Sequence, residues 1–270
     1  MMTHTKSLFG TEAIALMFEQ AKKQNRAAFL PYFPIGYPDY ETSIEAIAGM
    51  AEIGVDGFEI GVPFSDPLAD GPVIQAATQI ALENGTTVRK CLDAVRILRE
   101  RGVSQPMVLM GYVNPILAYG IEAFVHDAWE AGADGLIVPD LPPDEAGSLL
   151  DACSKIGLAL VFFIAPTSNM ERIKLVAAKA TGFIYVVSLT GVTGERREMA
   201  ADLHTFIAGL KQYTDHPLVL GFGISTPDQA RSMNGLVEGF AVGSALVRAG
   251  KDGAEPVRHL AASLRKALDT

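Results

Sequence analysis

Eight short apolar runs punctuate the chain, each followed by a polar turn and then by residues with helical spacing. They fall near 27–33 (AAFLPYF), 56–62 (DGFEIGV), 106–111 (PMVLMG) and 134–138 (DGLIV). The other four lie near 158–164 (LALVFFI), 182–187 (GFIYVV), 217–222 (PLVLGF) and 238–243 (EGFAVG). Within the runs apolar residues are continuous rather than alternating, the mark of a parallel sheet covered by helices on its faces. Amphipathic helices are predicted between them, over 43–53, 88–101, 121–131 and 170–180 among others. The pattern predicts a single (β/α)8 TIM barrel, one domain over 1–270, with a doubly wound open sheet as the alternative. A further helical pattern at 10–24 is expected to close the barrel bottom.

The segment Gly54-Val55-Asp56-Gly57-Phe58 recurs as Gly132-Ala133-Asp134-Gly135-Leu136, and Glu238-Gly239-Phe240 repeats its ending. The acid–glycine pair stands where a helix hands over to a strand, which reads as a tight turn. No Pro/Ser linker or charge run divides the chain.

In a barrel of this kind chemistry sits at the carboxyl ends of the strands. Along 57–63 side chains alternate, so Phe58, Ile60 and Val62 face the helices while Gly57, Glu59 and Gly61 face the interior. A carboxylate between two glycines is expected to have empty room around it for a ligand. Burial there raises its pKa and makes Glu59 a candidate proton donor and acceptor. The plainer reading is a structural ion pair, but no predicted strand carries a Lys or Arg. The loop Pro63–Pro72 that follows holds Asp66, Asp70 and three prolines that stiffen it. It reads either as a solvated turn or as a mount for a second carboxylate or a partner surface.

The last two strands end in glycine turns, Gly221-Phe222-Gly223-Ile224-Ser225 and Val242-Gly243-Ser244-Ala245. Backbone N–H groups at such turns can approach a phosphate, in the loops where these barrels commonly bind one. The loop 189–195, with two glycines and two threonines, is expected to act as a lid.

Composition then removes other classes. Lys and Arg number 22 against 31 Asp and Glu, a formal charge of −9, which argues against nucleic acid or anionic membrane as partners. Two cysteines can build neither a disulfide framework nor a four-ligand zinc site. The first ten residues carry no apolar leader and no window nears the ~18 apolar residues of a membrane span, so a soluble, cytoplasmic protein is expected. His4, His126, His204, His216 and His259 avoid the strands' carboxyl ends, and no lysine follows a strand. Neither a metal site nor an imine- or pyridoxal-forming lysine is expected. Carboxylate acid–base chemistry on a phosphorylated small molecule remains.

The run Phe58-Glu59-Ile60-Gly61-Val62-Pro63-Phe64-Ser65-Asp66-Pro67-Leu68-Ala69-Asp70-Gly71-Pro72-Val73-Ile74-Gln75 resembles the signature of the tryptophan synthase alpha chain family. Met110-Gly111-Tyr112-Val113-Asn114-Pro115, Val138-Pro139-Asp140-Leu141-Pro142 and Gly191-Val192-Thr193-Gly194 extend the resemblance over residues 10 to 265 or so. It implies a (β/α)8 barrel that cleaves indole-3-glycerol phosphate to indole and glyceraldehyde 3-phosphate, a retro-aldol step late in L-tryptophan biosynthesis. By position, Glu59 resembles the acid–base that protonates the indole ring at C3, and Asp70 the carboxylate near the indole N–H. Tyr185 resembles a substrate-placing side chain and Thr193 the lid residue. Gly194, Gly223, Gly243 and Ser244 resemble the phosphate ligands.

The resemblance also implies no cofactor on this chain and a beta-chain partner in an alpha2-beta2 assembly. Pyridoxal phosphate is then expected on that partner, which the strand-2 loop and the Asn114–Pro115 region would face. Two departures stand out: Pro31-Tyr32 lies where the family often has Pro-Phe, and Ser188-Leu189-Thr190 lacks an Arg that some members carry. A free-standing indole-glycerol-phosphate lyase, another phosphate-binding barrel such as a sugar-phosphate isomerase, and a non-catalytic activator barrel remain alternatives.

Overall fold

The eight runs pair in chain order, all parallel, and the last returns to the first. The strands are β1 (Ala28–Pro34), β2 (Phe58–Gly61), β3 (Met107–Met110) and β4 (Gly135–Ile137), then β5 (Ala159–Ile164), β6 (Ile184–Val187), β7 (Leu218–Gly221) and β8 (Gly239–Val242). Pairing of Ala28–Pro31 with Gly239–Val242 closes the barrel and excludes the open sheet. This computed structural model describes residues 8–187, 196–221 and 223–269.

Helices cover the barrel: α1 (Thr11–Lys23), α2 (Tyr40–Glu52), α3 (Pro72–Glu83), α4 (Val88–Glu100), α5 (Val113–Tyr119) and α6 (Ile121–Ala131). They continue with α7 (Gly147–Ile156), α8 (Met170–Lys179), α9 (Arg196–Leu210), α10 (Pro227–Arg231), α11 (Ser244–Ala249) and α12 (Ala254–Lys266). Their starts are locally encoded. Asp39, Thr87 and Asn169 each accept a backbone N–H of the first turn, and Pro72 stands in the first turn of α3. Between strands and helices lies an outer apolar layer in which Phe29 stacks on Phe240 at 5.1 Å.

Inside the barrel, α1 forms the floor, as the 10–24 pattern predicts. Its Ile14, Met17 and Phe18 join Leu30, Val108, Val161 and Val219 in the inner core. Interior glycines make room for them. A Cβ on Gly57 would stand 2.7 Å from Met17 Sδ, one on Gly239 3.0 Å from Phe18, and one on Gly182 3.5 Å from Ile14.

The residue before each of these glycines does more than the expected tight turn. Turning falls to Gly54 and Gly132, at φ 79° and 97°. The acids latch neighbouring strands: Asp56 accepts the Phe29 N–H at 2.8 Å, Asp134 that of Met107 at 2.9 Å and Glu238 that of Leu218 at 3.0 Å. Before Gly182, Thr181 Oγ1 takes the same part for Leu160 at 2.7 Å, so the device recurs at every second strand. Each acid also meets a cation: Arg26 at 2.6 Å, Arg99 at 2.6 Å and Lys211 at 2.8 Å. Asp134, 1% exposed, further accepts the Gly10 N–H at 2.8 Å and so anchors the start of α1. Breaking such a buried pair costs about 3–5 kcal/mol.

Candidate active site at the barrel mouth

At the opposite end the same residue types are arranged differently. Glu59 lies in β2 in register with Tyr32 on one side and Val108 on the other. It is 1% exposed, and its Oε1 is buried without a hydrogen-bond partner among the described residues. Burial with nothing to offset it pushes the carboxyl up to about 8. At neutral pH most of the population therefore carries the proton that an acid catalyst needs.

The room left by the two glycines flanking Glu59 is filled. Met17 takes the space at Gly57, and a Cβ on Gly61 would collide with the Tyr32 phenol. A Cβ on Gly221 would likewise collide with the ring of Tyr185, which packs on Phe163 with centroids 5.0 Å apart. Spacing within β2 cannot reveal this, because the fillers come from α1, β1 and β6. Tyr32 and Tyr185 are both buried, and burial together with the nearby Asp70 and Glu59 charges drives their phenols far up. Both stay neutral hydroxyls facing the two carboxylates.

Asp70 stands in the turn just before α3, half-buried. Its N–H donates to the Pro67 carbonyl at 3.0 Å, and Gln75 Nε2 donates to the Asp70 carbonyl at 2.8 Å, which fixes the loop. Burial pushes its carboxyl up, while a hydrogen bond from the Tyr112 hydroxyl to Oδ2 at 2.9 Å pulls it down. Glu59 has no such donor among the described residues. The two carboxylates thus differ in environment, as an acid paired with an acceptor requires.

Sequence reasoning quoted Tyr112 within a motif but gave it no role. An aromatic residue with a polar tip just beyond β3 was the available signal; its partner 42 positions away was not. Asp66, the other acid of the loop, accepts from Ser65 Oγ at 2.6 Å and does not join the pair.

Gly223 stands exposed after β7 with φ 86°, and Gly243 precedes Ser244, the first residue of α11. A Cβ on Gly243 would lie 3.4 Å from Tyr32 Cδ1, so this turn borders the wall of the acid site. The N–H groups of Ser225 and Thr226 are already taken by Gln229 Oε1, at 2.9 and 3.1 Å. Thr193, Gly194 and the rest of the lid loop 189–195 lie outside the described residues. Among the described residues no three of His, Cys, Asp and Glu gather as a metal site, and Cys91 and Cys153 are buried thiols raised by burial.

Residues 18–268 match the family model described as tryptophan synthase alpha chain. The tryptophan synthase alpha chain of Roseiflexus castenholzii is 48% identical over 87% of this chain and 90% of its own length. That of Chloroflexus aggregans is 47% identical over 85% and 86%. Among solved structures, tryptophan synthase of Mycobacterium tuberculosis superimposes with a TM-score of 0.88 at 38% identity, covering 95% of this chain and 98% of that one.

Proposed function

Since the chain belongs to the tryptophan synthase alpha chain family, we propose a division of labour at the barrel mouth for the family's reaction. The reaction is the lyase half-reaction of tryptophan biosynthesis, cleavage of indole-3-glycerol phosphate to indole and glyceraldehyde 3-phosphate. Glu59 in its protonated form gives its proton to C3 of the indole ring. The ring then accepts the electron pair of the C3–C1′ bond as that bond breaks. Asp70 accepts the indole N–H and favours the tautomer in which C3 takes the proton. The glycerol hydroxyl at C1′ loses its proton to the Glu59 carboxylate, which restores the acid and leaves the aldehyde. The observation that carries this reading is the buried, unpartnered Glu59 oxygen with its carboxyl pushed up to about 8.

Tyr185 holds the indole over Glu59. Gly194, Gly223, Gly243 and Ser244 hold the phosphate with backbone N–H groups and a hydroxyl, and Thr193 is the lid residue. The whole chain, 1–270, works as one domain.

Alpha chains of this family need no cofactor of their own and pair with a beta chain. Our reading is an alpha2-beta2 assembly with pyridoxal phosphate on the beta chain, acting in the cytoplasm. Leu68, 91% exposed in the Asp70 loop, and Leu117, half-exposed on α5, suit a covered surface better than solvent. Among the described residues no helix is long and apolar enough to cross a membrane.

The test is cleavage of indole-3-glycerol phosphate by the purified chain, with and without a beta chain and serine. Slow cleavage alone with strong acceleration by the beta chain is the expected result. Fast cleavage alone with no partner effect marks a free-standing lyase, and none under either condition rejects the catalytic reading.

A further inference from the structure

The loop that carries Asp70 is held to the barrel from one side by one hydroxyl. Tyr112 follows β3, is buried, and packs its ring on Phe64 with centroids 5.4 Å apart. Its oxygen accepts the Ala69 N–H at 3.1 Å, which leaves its own hydrogen to point at Asp70 Oδ2, 2.9 Å away. The next residue, Val113, donates its N–H to Asp140 Oδ1 in the β4 loop at 2.9 Å, fixing the start of α5. Three loops are thereby joined at Tyr112.

The groups that face Asp70 are Glu59 from β2, Tyr32 from β1, Tyr185 from β6 and Tyr112 itself; Asp66 shares its loop, and Asp140 stands behind Tyr112. None is a cation. Burial favours a neutral Asp70, which could not accept an N–H as a carboxylate does. Among the described residues, the Tyr112 hydroxyl is the side-chain donor that reaches the Asp70 carboxylate.

We propose that Tyr112 is a positioning residue for the lyase reaction, its hydroxyl clamping Asp70 and keeping that carboxylate ionised with one oxygen free for the indole N–H. The proposal rests on the reading of Asp70 given above. A hydrogen bond to an ionised group shifts its pKa by on the order of one unit or somewhat more. Removing the hydroxyl raises the Asp70 pKa, so the acid limb of the rate profile moves to higher pH.

The test uses the full chain as wild type, Y112F, Y112L and D70N. The Asp70 carboxyl is titrated by carbon-13 NMR, with D70N identifying its resonance, and kcat/KM for indole-3-glycerol phosphate is measured against pH. Y112F keeps the ring on Phe64. It is expected to raise the Asp70 midpoint and the acid limb together by about one pH unit, with cleavage falling about tenfold below the limb. Y112L shows the same shift plus a loss from packing. An unmoved midpoint in Y112F, with only Y112L impaired, overturns the proposal, and so does a moved midpoint with an unmoved acid limb while D70N is inactive. D70N with wild-type cleavage overturns the role of Asp70 instead.

Discussion

The two ends of this barrel use acids and glycines on the same strands for opposite purposes. At the floor, Asp56, Asp134 and Glu238 each accept a backbone N–H and meet a cation, and glycines 57, 182 and 239 receive side chains of α1. At the mouth, Glu59 has neither donor nor cation among the described residues, and glycines 61 and 221 receive neutral phenols. A carboxylate with both oxygens engaged by a backbone N–H and a cation serves as a latch. One buried without partners keeps its proton near neutral pH and can give it away. The difference lies in the neighbours: Asp134 and Glu59 are both 1% exposed.

Exchanging the two ends by mutation separates stability from turnover. The largest expected effect is at the mouth: Glu59→Gln should lower indole-3-glycerol phosphate cleavage about 10³-fold while leaving the melting temperature at or above wild type. Asp134→Asn should do the reverse. It leaves the partly buried Arg99 without its carboxylate, so urea unfolding should show a loss of about 3 kcal/mol with kcat per folded molecule near wild type.

Smaller effects should follow the glycines. Gly57→Ala and Gly239→Ala press on Met17 and Phe18 and should cost about 1–3 kcal/mol of stability. Gly221→Ala instead drives Tyr185 from its place, so it should lower kcat/KM more than it lowers stability, which paired denaturation and kinetic measurements would show.

A further effect shows only as pH changes. The folded Glu59 pKa is raised above its unfolded value of 4.5 to about 8, so its contribution to stability is fully present below 4.5 and is lost as pH rises through 8. Glu59→Gln removes that loss, and its melting temperature should gain on wild type by about ten degrees between pH 5 and 9. Parallel melting curves for the two proteins across that range would contradict the unpartnered state of Glu59.

What could be read in the sequence was what is local or periodic. All eight strands lie within two residues of their apolar runs, because continuous burial on both faces leaves an unambiguous pattern. Glu59 was legible because alternation in one strand put an acid beside two glycines on the interior face. The acid–glycine echo was visible, but its purpose was not, since Asp134 acts on Met107, 27 positions away, and on Gly10, 124 away. Tyr112 and the filling of Gly61 by Tyr32 were hidden for the same reason. Helices α3, α5, α7, α9, α10, α11 and α12 stood outside the named expectations, and two of them, α10 and α11, are only 5 and 6 residues long.

The most direct test of the account is the titration of the Glu59 carboxyl itself in the wild-type chain, followed by carbon-13 NMR with Glu59→Gln identifying the resonance. A midpoint near 8 is the predicted result, with the carboxyl largely protonated at pH 7. A midpoint at the ordinary glutamate value near 4.5 would mean that Glu59 is ionised at neutral pH, and would contradict its part as the proton donor.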